Sequence, residues 1–300
     1  MKKILLITLL LSTLYSQQNS FEYTTPNNFD FITNTPDDFV ELYERATQKE
    51  NLWIWGIIAS SSVVLWYYDE ELIAATQKLG KRLGIKGKDA EPEKVLLSVG
   101  PYPLFKIPTD SGSALYFLGD GTVHVGIMAG FVGYGYFAND TKALNVGSQL
   151  AEGLLDVMVA TQVLKHITGR QTYNKKTAPR GKWDFFPNQT AYAKSVPTYD
   201  AFPSGHLATA MMTTTILHEN YPTNKWILPV GYTLMGVLSI QMLNNGVHWA
   251  SDYPLAIGIG YSFGRIIAQR QRGLHKEKLG WSVIPKIYEN GYGLALNYKY

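Results

Sequence analysis

The chain has 300 residues, enough to bury a sizeable core in one large domain or two smaller ones. A hydrophobic content of 46% excludes wholesale disorder, and a net charge of +3 excludes nucleic-acid binding by bulk electrostatics. The absence of cysteine excludes disulfides, thiolate nucleophiles, Cys-based zinc sites and iron–sulfur clusters. Charged residues are scarce at 17% and aromatics abundant at 13%, which leans toward a membrane or its surface. The slightly negative mean hydropathy leans the other way.

Met1-Lys2-Lys3, an apolar run from Ile4 to Leu14 and a polar continuation predict a signal peptide over residues 1–16 and an exported chain. Residues 17–111 are read as an N-terminal helical and linker segment. It holds a short helix near 37–49, an apolar helix from Trp53 to Tyr68 stopped by Asp69-Glu70-Glu71, an amphipathic helix from Leu72 to Leu83, and a loop over 86–112. A helical core is expected over 112–270. Its helices are a glycine-rich one from Ala114 to Phe137 suited to close contact, then Leu144 to Ile167, Leu207 to Leu217, Trp226 to Leu243 and Trp249 to Gln269. Trp226 to Leu243 carries no charge and approaches the length needed to cross a bilayer. Two apolar runs split by Asn290-Gly291 predict a hairpin in the tail, 271–300. The fold class is therefore all-α with a small C-terminal β-hairpin.

Three places combine chemistry-bearing residues. Lys165-His166-Ile167-Thr168-Gly169-Arg170 ends an apolar helix. Phe202-Pro203-Ser204-Gly205-His206 opens one, which sets a hydroxyl, an imidazole and free N–H groups at a helix N-terminus suited to an anion. In Gly246-Val247-His248-Trp249-Ala250-Ser251-Asp252, His248 and Asp252 are four apart and on a helix would share a face. A carboxylate beside an imidazole fixes its tautomer and leaves the other nitrogen to act as nucleophile or base. Each place also has a plain structural reading: a packing pair, a Ser N-cap or, for the basic 171–203 loop with Lys175, Lys176, Arg180, Lys182 and Lys194, a solvated connection.

In this order the three places resemble the type 2 phosphatidic acid phosphatase superfamily, which includes bacterial acid phosphatases and vanadium haloperoxidases. Its pattern is Lys-x6-Arg-Pro, then Pro-Ser-Gly-His, then Ser-Arg-x5-His-x3-Asp. Lys165, Pro203-Ser204-Gly205-His206 and His248-x3-Asp252 match it. The pattern's two arginines fall on Thr172 and Met242, with Tyr173 and Gln241 at the adjoining Pro and Ser. The resemblance implies metal-independent, cofactor-free hydrolysis of a phosphate monoester or diphosphate, foremost on a phosphorylated lipid. It makes His248 the nucleophile, Asp252 its orienting partner and His206 the proton donor to the leaving oxygen. Lys165, Arg170, Ser204, Gly205 and Arg180 are the expected phosphate-binding residues, the two arginines standing in for the displaced ones. The alternatives are a vanadate-dependent haloperoxidase and a non-catalytic envelope protein that binds phosphorylated lipid. The expected location is the cell envelope, membrane-associated, with the site on the periplasmic side. His124, His166 and His218 are read as core or capping residues, and no metal-ligand motif is present.

Overall fold

The computed structural model describes residues 23–87, 93–99, 102–271, 280–288 and 291–299. The expected signal peptide and Asn290 of the tail turn lie outside them. The described elements run α1 (Asp30–Thr33), α2 (Thr35–Thr47), α3 (Leu52–Leu83), β1 (Glu93–Val99), β2 (Tyr102–Pro108), α4 (Ser111–Phe117), α5 (Gly121–Ala138) and α6 (Thr141–Thr168). They continue with α7 (Gln189–Lys194), α8 (Gly205–Asn220), α9 (Ile227–Asn244), α10 (Tyr253–Gln271), β3 (Gly280–Tyr288) and β4 (Gly291–Lys299). The fold is helical, with two separate two-stranded antiparallel hairpins. The tail hairpin pairs Gly280 with Lys299 through to Tyr288 with Gly291.

Helix α8 is the centre of the core. Leu207, Ala208, Met212 and Ile216 on it are buried against Ala256, Phe263 and Ile267 of α10, Val146, Leu150 and Val157 of α6, and Leu238 and Met242 of α9. The α8–α10 contact is close because Gly260 has no side chain: a Cβ there would lie 2.1 Å from the Ala208 carbonyl oxygen.

Three stretches differ from the sequence reading. The helices expected on either side of Asp69-Glu70-Glu71 are one continuous helix, α3, which ends at Gly84 in the left-handed conformation (φ 67°). Carboxylates do not break a helix when they find partners. Asp69 turns inward to Arg170, and Glu70 pairs with Lys176 at 2.5 Å. The supposed loop over 86–112 contains the β1–β2 hairpin, which pairs Glu93 with Pro108 and Val99 with Tyr102 and has irregular register between Val95 and Ser98. Prolines are tolerated there because a two-stranded ribbon has free edges. The expected helix from Ala114 to Phe137 is two helices bent by 58°, with Asp120 capping the second by accepting from the Thr122 N–H. Most α5 glycines face open space. Close contact is made by Gly135 beside Leu144 and by Gly119, at the bend, beside His206 and Leu238.

The N-terminal helices are fastened by charge. Arg270 of α10 bridges Asp38 of α2 and Glu152 of α6. Asp156, one turn beyond Glu152, is fully buried. Burial pushes its carboxyl up to about 7, against the opposing effect of the Thr35 hydroxyl. An acid whose pKa is higher in the folded than in the unfolded chain contributes stability at low pH and loses it as pH rises through the folded value. Burial raises the Glu152 carboxyl as well, with the charge of Asp156 adding to it, so denaturation followed from pH 4 to 8 is expected to show stability falling as pH rises. Asp156→Asn is expected to make that fall shallower.

Candidate active site

The three motif segments converge at the N-terminal end of α8. Helix α6 stops at Gly169 (φ 54°), whose N–H returns to the Lys165 carbonyl at 2.9 Å. This leaves Lys165 on the last turn, nearly buried, with its Nζ 3.5 Å from Asp200. An ideal Cβ on Gly205 would lie 3.9 Å from Lys165 Nζ and 3.8 Å from Thr161 Oγ1, so the absent side chain leaves a small polar space there. Ser204 caps α8 by accepting from the Leu207 N–H at 3.4 Å, and its hydroxyl contacts Met242 Sδ at 3.5 Å. It is fully buried, and its own N–H donates to the Asp252 carbonyl at 3.3 Å. Ser204 therefore shapes the turn, while Gly205 is the open point on it.

His206 and His248 face each other with ring centroids 6.3 Å apart and planes at 69°. Tyr116 of α4 lies against His206, with centroids 4.5 Å apart and planes tilted by 40°. His248 is almost buried. Its Nδ1 lies 2.7 Å from the Ala201 carbonyl oxygen and 3.4 Å from Asp252 Oδ2. A carbonyl oxygen only accepts, so Nδ1 carries the proton and Nε2 holds a free lone pair. The sequence reading gave this orienting role to Asp252 on a shared helix face. Instead His248 and Asp252 sit on a loop and a short 3₁₀ turn, Ala250–Asp252, and the backbone of Ala201 makes the shorter contact.

Asp252 is held mainly by other groups. Its Oδ2 accepts from the Trp249 N–H at 2.8 Å, and its Oδ1 accepts from Arg170 Nη1 at 2.5 Å. Arg170 is 0% exposed and lies between the rings of Trp183 and Trp249, at 4.9 and 5.1 Å. Its Nη1 also donates to Ser251 Oγ at 2.7 Å, and its Nη2 donates to Asp69 at 2.9 Å and to the Arg180 carbonyl at 3.0 Å.

The arginines expected to grip phosphate are thus placed elsewhere. Both terminal nitrogens of Arg170 are engaged behind Asp252. Arg180 points to α3, where its Nη2 donates to the Tyr67 carbonyl at 3.2 Å and its guanidinium covers the Trp66 ring at 4.5 Å. Thr172 and Met242, at the positions of the family arginines, are both buried. The residues brought together are His206, His248, Asp252, Lys165, Ser204 and Gly205. Asp69, Tyr116 and the Ala201 carbonyl complete the site and were not singled out from the sequence. Asp69 is the first of three consecutive carboxylates that border an apolar stretch, and nothing in the sequence marks it as the buried one. A backbone carbonyl carries no mark either.

His124 donates to or accepts from Thr213 at 2.8 Å within the core, and His166 stacks on Tyr192 at 4.0 Å. Among the described residues no group of three or more His, Cys, Asp or Glu is placed to hold a metal.

Residues 148–275 match the family described as the PAP2 superfamily. Over 68 residues the chain is 34% identical to a protein of Porphyromonas gingivalis named lipid A 1-phosphatase. That stretch covers 22% of this chain and 15% of the relative. No solved structure matches the chain.

The buried ion pairs give a stability test. Arg170→Ala would leave two buried carboxylates without their cation, and a loss of about 3–5 kcal/mol is expected. Arg180→Ala, which removes partly exposed contacts, is expected to lose about 1 kcal/mol or less. Chemical denaturation of the two variants measures the difference.

Proposed function

Because residues 148–275 belong to the PAP2 superfamily, we propose that the protein is a phosphatase acting on a lipid-linked phosphate monoester or diphosphate through a phosphohistidine. The observation that carries this reading is the pair of imidazoles facing across the N-terminus of α8, one with its Nδ1 proton held by a carbonyl. In the first step the Nε2 lone pair of His248 attacks phosphorus. A P–N bond forms, the P–O bond to the leaving group breaks, and His206 gives that oxygen its proton. In the second step His206 takes a proton from water, the water oxygen attacks phosphorus, and the P–N bond electrons return to Nε2. Lys165 and the α8 N-terminus at Gly205 face the phosphoryl oxygens and stabilise charge as it develops.

Two features favour a lipid. A mostly apolar cavity of about 220 Å³ adjoins Arg170 and Ser251 and is lined by Val63, Trp66, Trp183 and Phe202. It opens between α3 and the 171–203 loop, and along α3 Trp53, Trp55, Val63, Val64, Trp66 and Tyr67 are exposed. The relative named lipid A 1-phosphatase agrees with this class of substrate. Helix α9 is long and apolar enough to cross a membrane, and the bent pair α4–α5 also qualifies if it is one span. The reading therefore includes an envelope enzyme in contact with a bilayer, whose site faces the non-cytoplasmic side to which the leader residues would direct it.

The test is phosphate release from a panel of lipid phosphates and diphosphates, together with an acid-labile phosphoenzyme trap. His248→Ala is expected to abolish both signals, and full activity in that variant would remove the mechanism. Asp252→Asn is expected to slow turnover by about 10²-fold. This falls short of the roughly 10⁴-fold loss seen when the wrong histidine tautomer forms, because the Ala201 carbonyl still holds Nδ1–H.

A further inference from the structure

Helix α3 lies outside the matched region and packs on the core mainly through partly buried residues such as Leu65 and Leu72. Of its 32 residues only Asp69, Ile73 and Gly80 are buried. Ile73 joins the core, and Gly80 packs against Asn244. At Asp69 the contact is instead a carboxylate with 0% exposure. Its Oδ1 accepts from the Ser251 N–H at 3.0 Å, and its Oδ2 accepts from Ser251 Oγ at 2.6 Å and from Arg170 Nη2 at 2.9 Å. A buried ion pair is a poor way to anchor a helix, since apolar residues of similar volume do so at equal or lower free energy. The charge at this point has a different use.

We infer that Asp69 is a positioning residue for the histidine site, acting through Arg170 and Ser251 on the Asp252 carboxylate. The inference rests on the phosphatase reading above. Asp69 occupies Arg170 Nη2 and leaves Nη1 for Asp252 Oδ1. Asp252 Oδ2 thereby stays on the Trp249 N–H, 3.4 Å from His248 Nδ1. Without the Asp69 carboxylate, Arg170 Nη2 keeps only the Arg180 carbonyl, and its second hydrogen becomes available to Asp252 alongside Nη1. A guanidinium facing one carboxylate prefers the bidentate, fork-to-fork arrangement. That arrangement draws Oδ2 away from Trp249 and His248. Asp69 also accepts both the N–H and the hydroxyl proton of Ser251, so it fixes the turn on which Asp252 stands.

Asp69→Asn is isosteric and removes the charge. In the active full-length protein, kcat is expected to fall by about tenfold to a hundredfold with KM within about twofold, the scale seen for groups that orient metal-bound histidines. The same substitution in an Asp252→Asn background is expected to lower kcat by less than about twofold, because residues that act as one unit are not additive. Equal fold-losses in the two backgrounds, or an unchanged kcat in Asp69→Asn, would overturn the inference and leave Asp69 as a helix anchor. If Asp69→Asn does not fold, Ser251→Ala takes its place: it removes the two hydroxyl contacts, to Asp69 and from Arg170, and keeps the ion pairs, and its smaller loss must also vanish beside Asp252→Asn. Failure of the phosphatase reading is separate and shows as an inactive wild type or an active His248→Ala.

Discussion

One buried guanidinium constrains the site from behind. Arg170 has 0% exposure and sits between two carboxylates, Asp69 and Asp252, that are equally sealed from solvent. Removing such charges from water is unfavourable by several kcal/mol per ion, and the arrangement holds because both terminal guanidinium nitrogens and the carboxylate oxygens find close partners, while Arg170 Nε is buried without one. Those partners come from α3, from the Ser251 turn and from the backbone of Arg180, so three distant segments must come together at once. The indole faces of Trp183 and Trp249 close the two sides of the guanidinium. The Trp249 indole N–H in turn donates to the Gln171 carbonyl at 2.7 Å, so the ring cannot drift from the cation it covers.

The same residues order the basic loop that follows α6. Gln171 Oε1 accepts from the N–H groups of Thr177 and Lys182, at 2.9 and 3.1 Å, and draws the loop into a tight curl. At the bottom of the curl Gly181 takes a positive φ of 73°, and a Cβ there would meet the Gln171 carbonyl oxygen at 2.7 Å. Arg180, beside it, faces α3 rather than the histidines. Arg180 and Lys176 thus dock this loop onto α3. A loop of net positive charge leading into an anion-binding turn suggests phosphate contacts when read as sequence, but the contacts formed are to backbone carbonyls, aromatic rings and Glu70.

How far the sequence was legible follows from the range of each interaction. Helices α6, α8, α9 and α10 were visible because their apolar positions repeat locally, whereas the short α7 fell inside the expected 171–203 loop; Pro203-Ser204-Gly205-His206 announces a helix start through a cap that spans three residues. His248 and Asp252 were recognisable as a pair, although they lie on a 3₁₀ turn rather than an α-helical face. The continuity of α3 was hidden because Asp69 finds its partner 101 residues away, and no local pattern signals that. The β1–β2 hairpin was hidden by the glycine and prolines that made its sequence look like a linker. The carbonyl that orients His248 belongs to an alanine 47 positions earlier, which no side-chain pattern could identify.

The use of Arg170 inside the protein leaves the proposed phosphate position with unusual electrostatics. Thr172 and Met242 stand where the family pattern has arginines, and both are buried. Lys165 is the cation beside Gly205, and Asp200 at 3.5 Å offsets part of its charge. Stabilisation of a transferring phosphoryl group would then fall on Lys165, the N-terminus of α8 and the two imidazoles. Such groups are effective when water is excluded, because the field of a single charge or helix end is far stronger in a poorly polarisable surrounding than in solvent. Lys165 and His248 are both nearly buried, Tyr116 lies against His206, and the neighbouring cavity is lined mainly by apolar residues. Shielding of Lys165 and His248 from water would offset part of the charge that the displaced arginines do not supply.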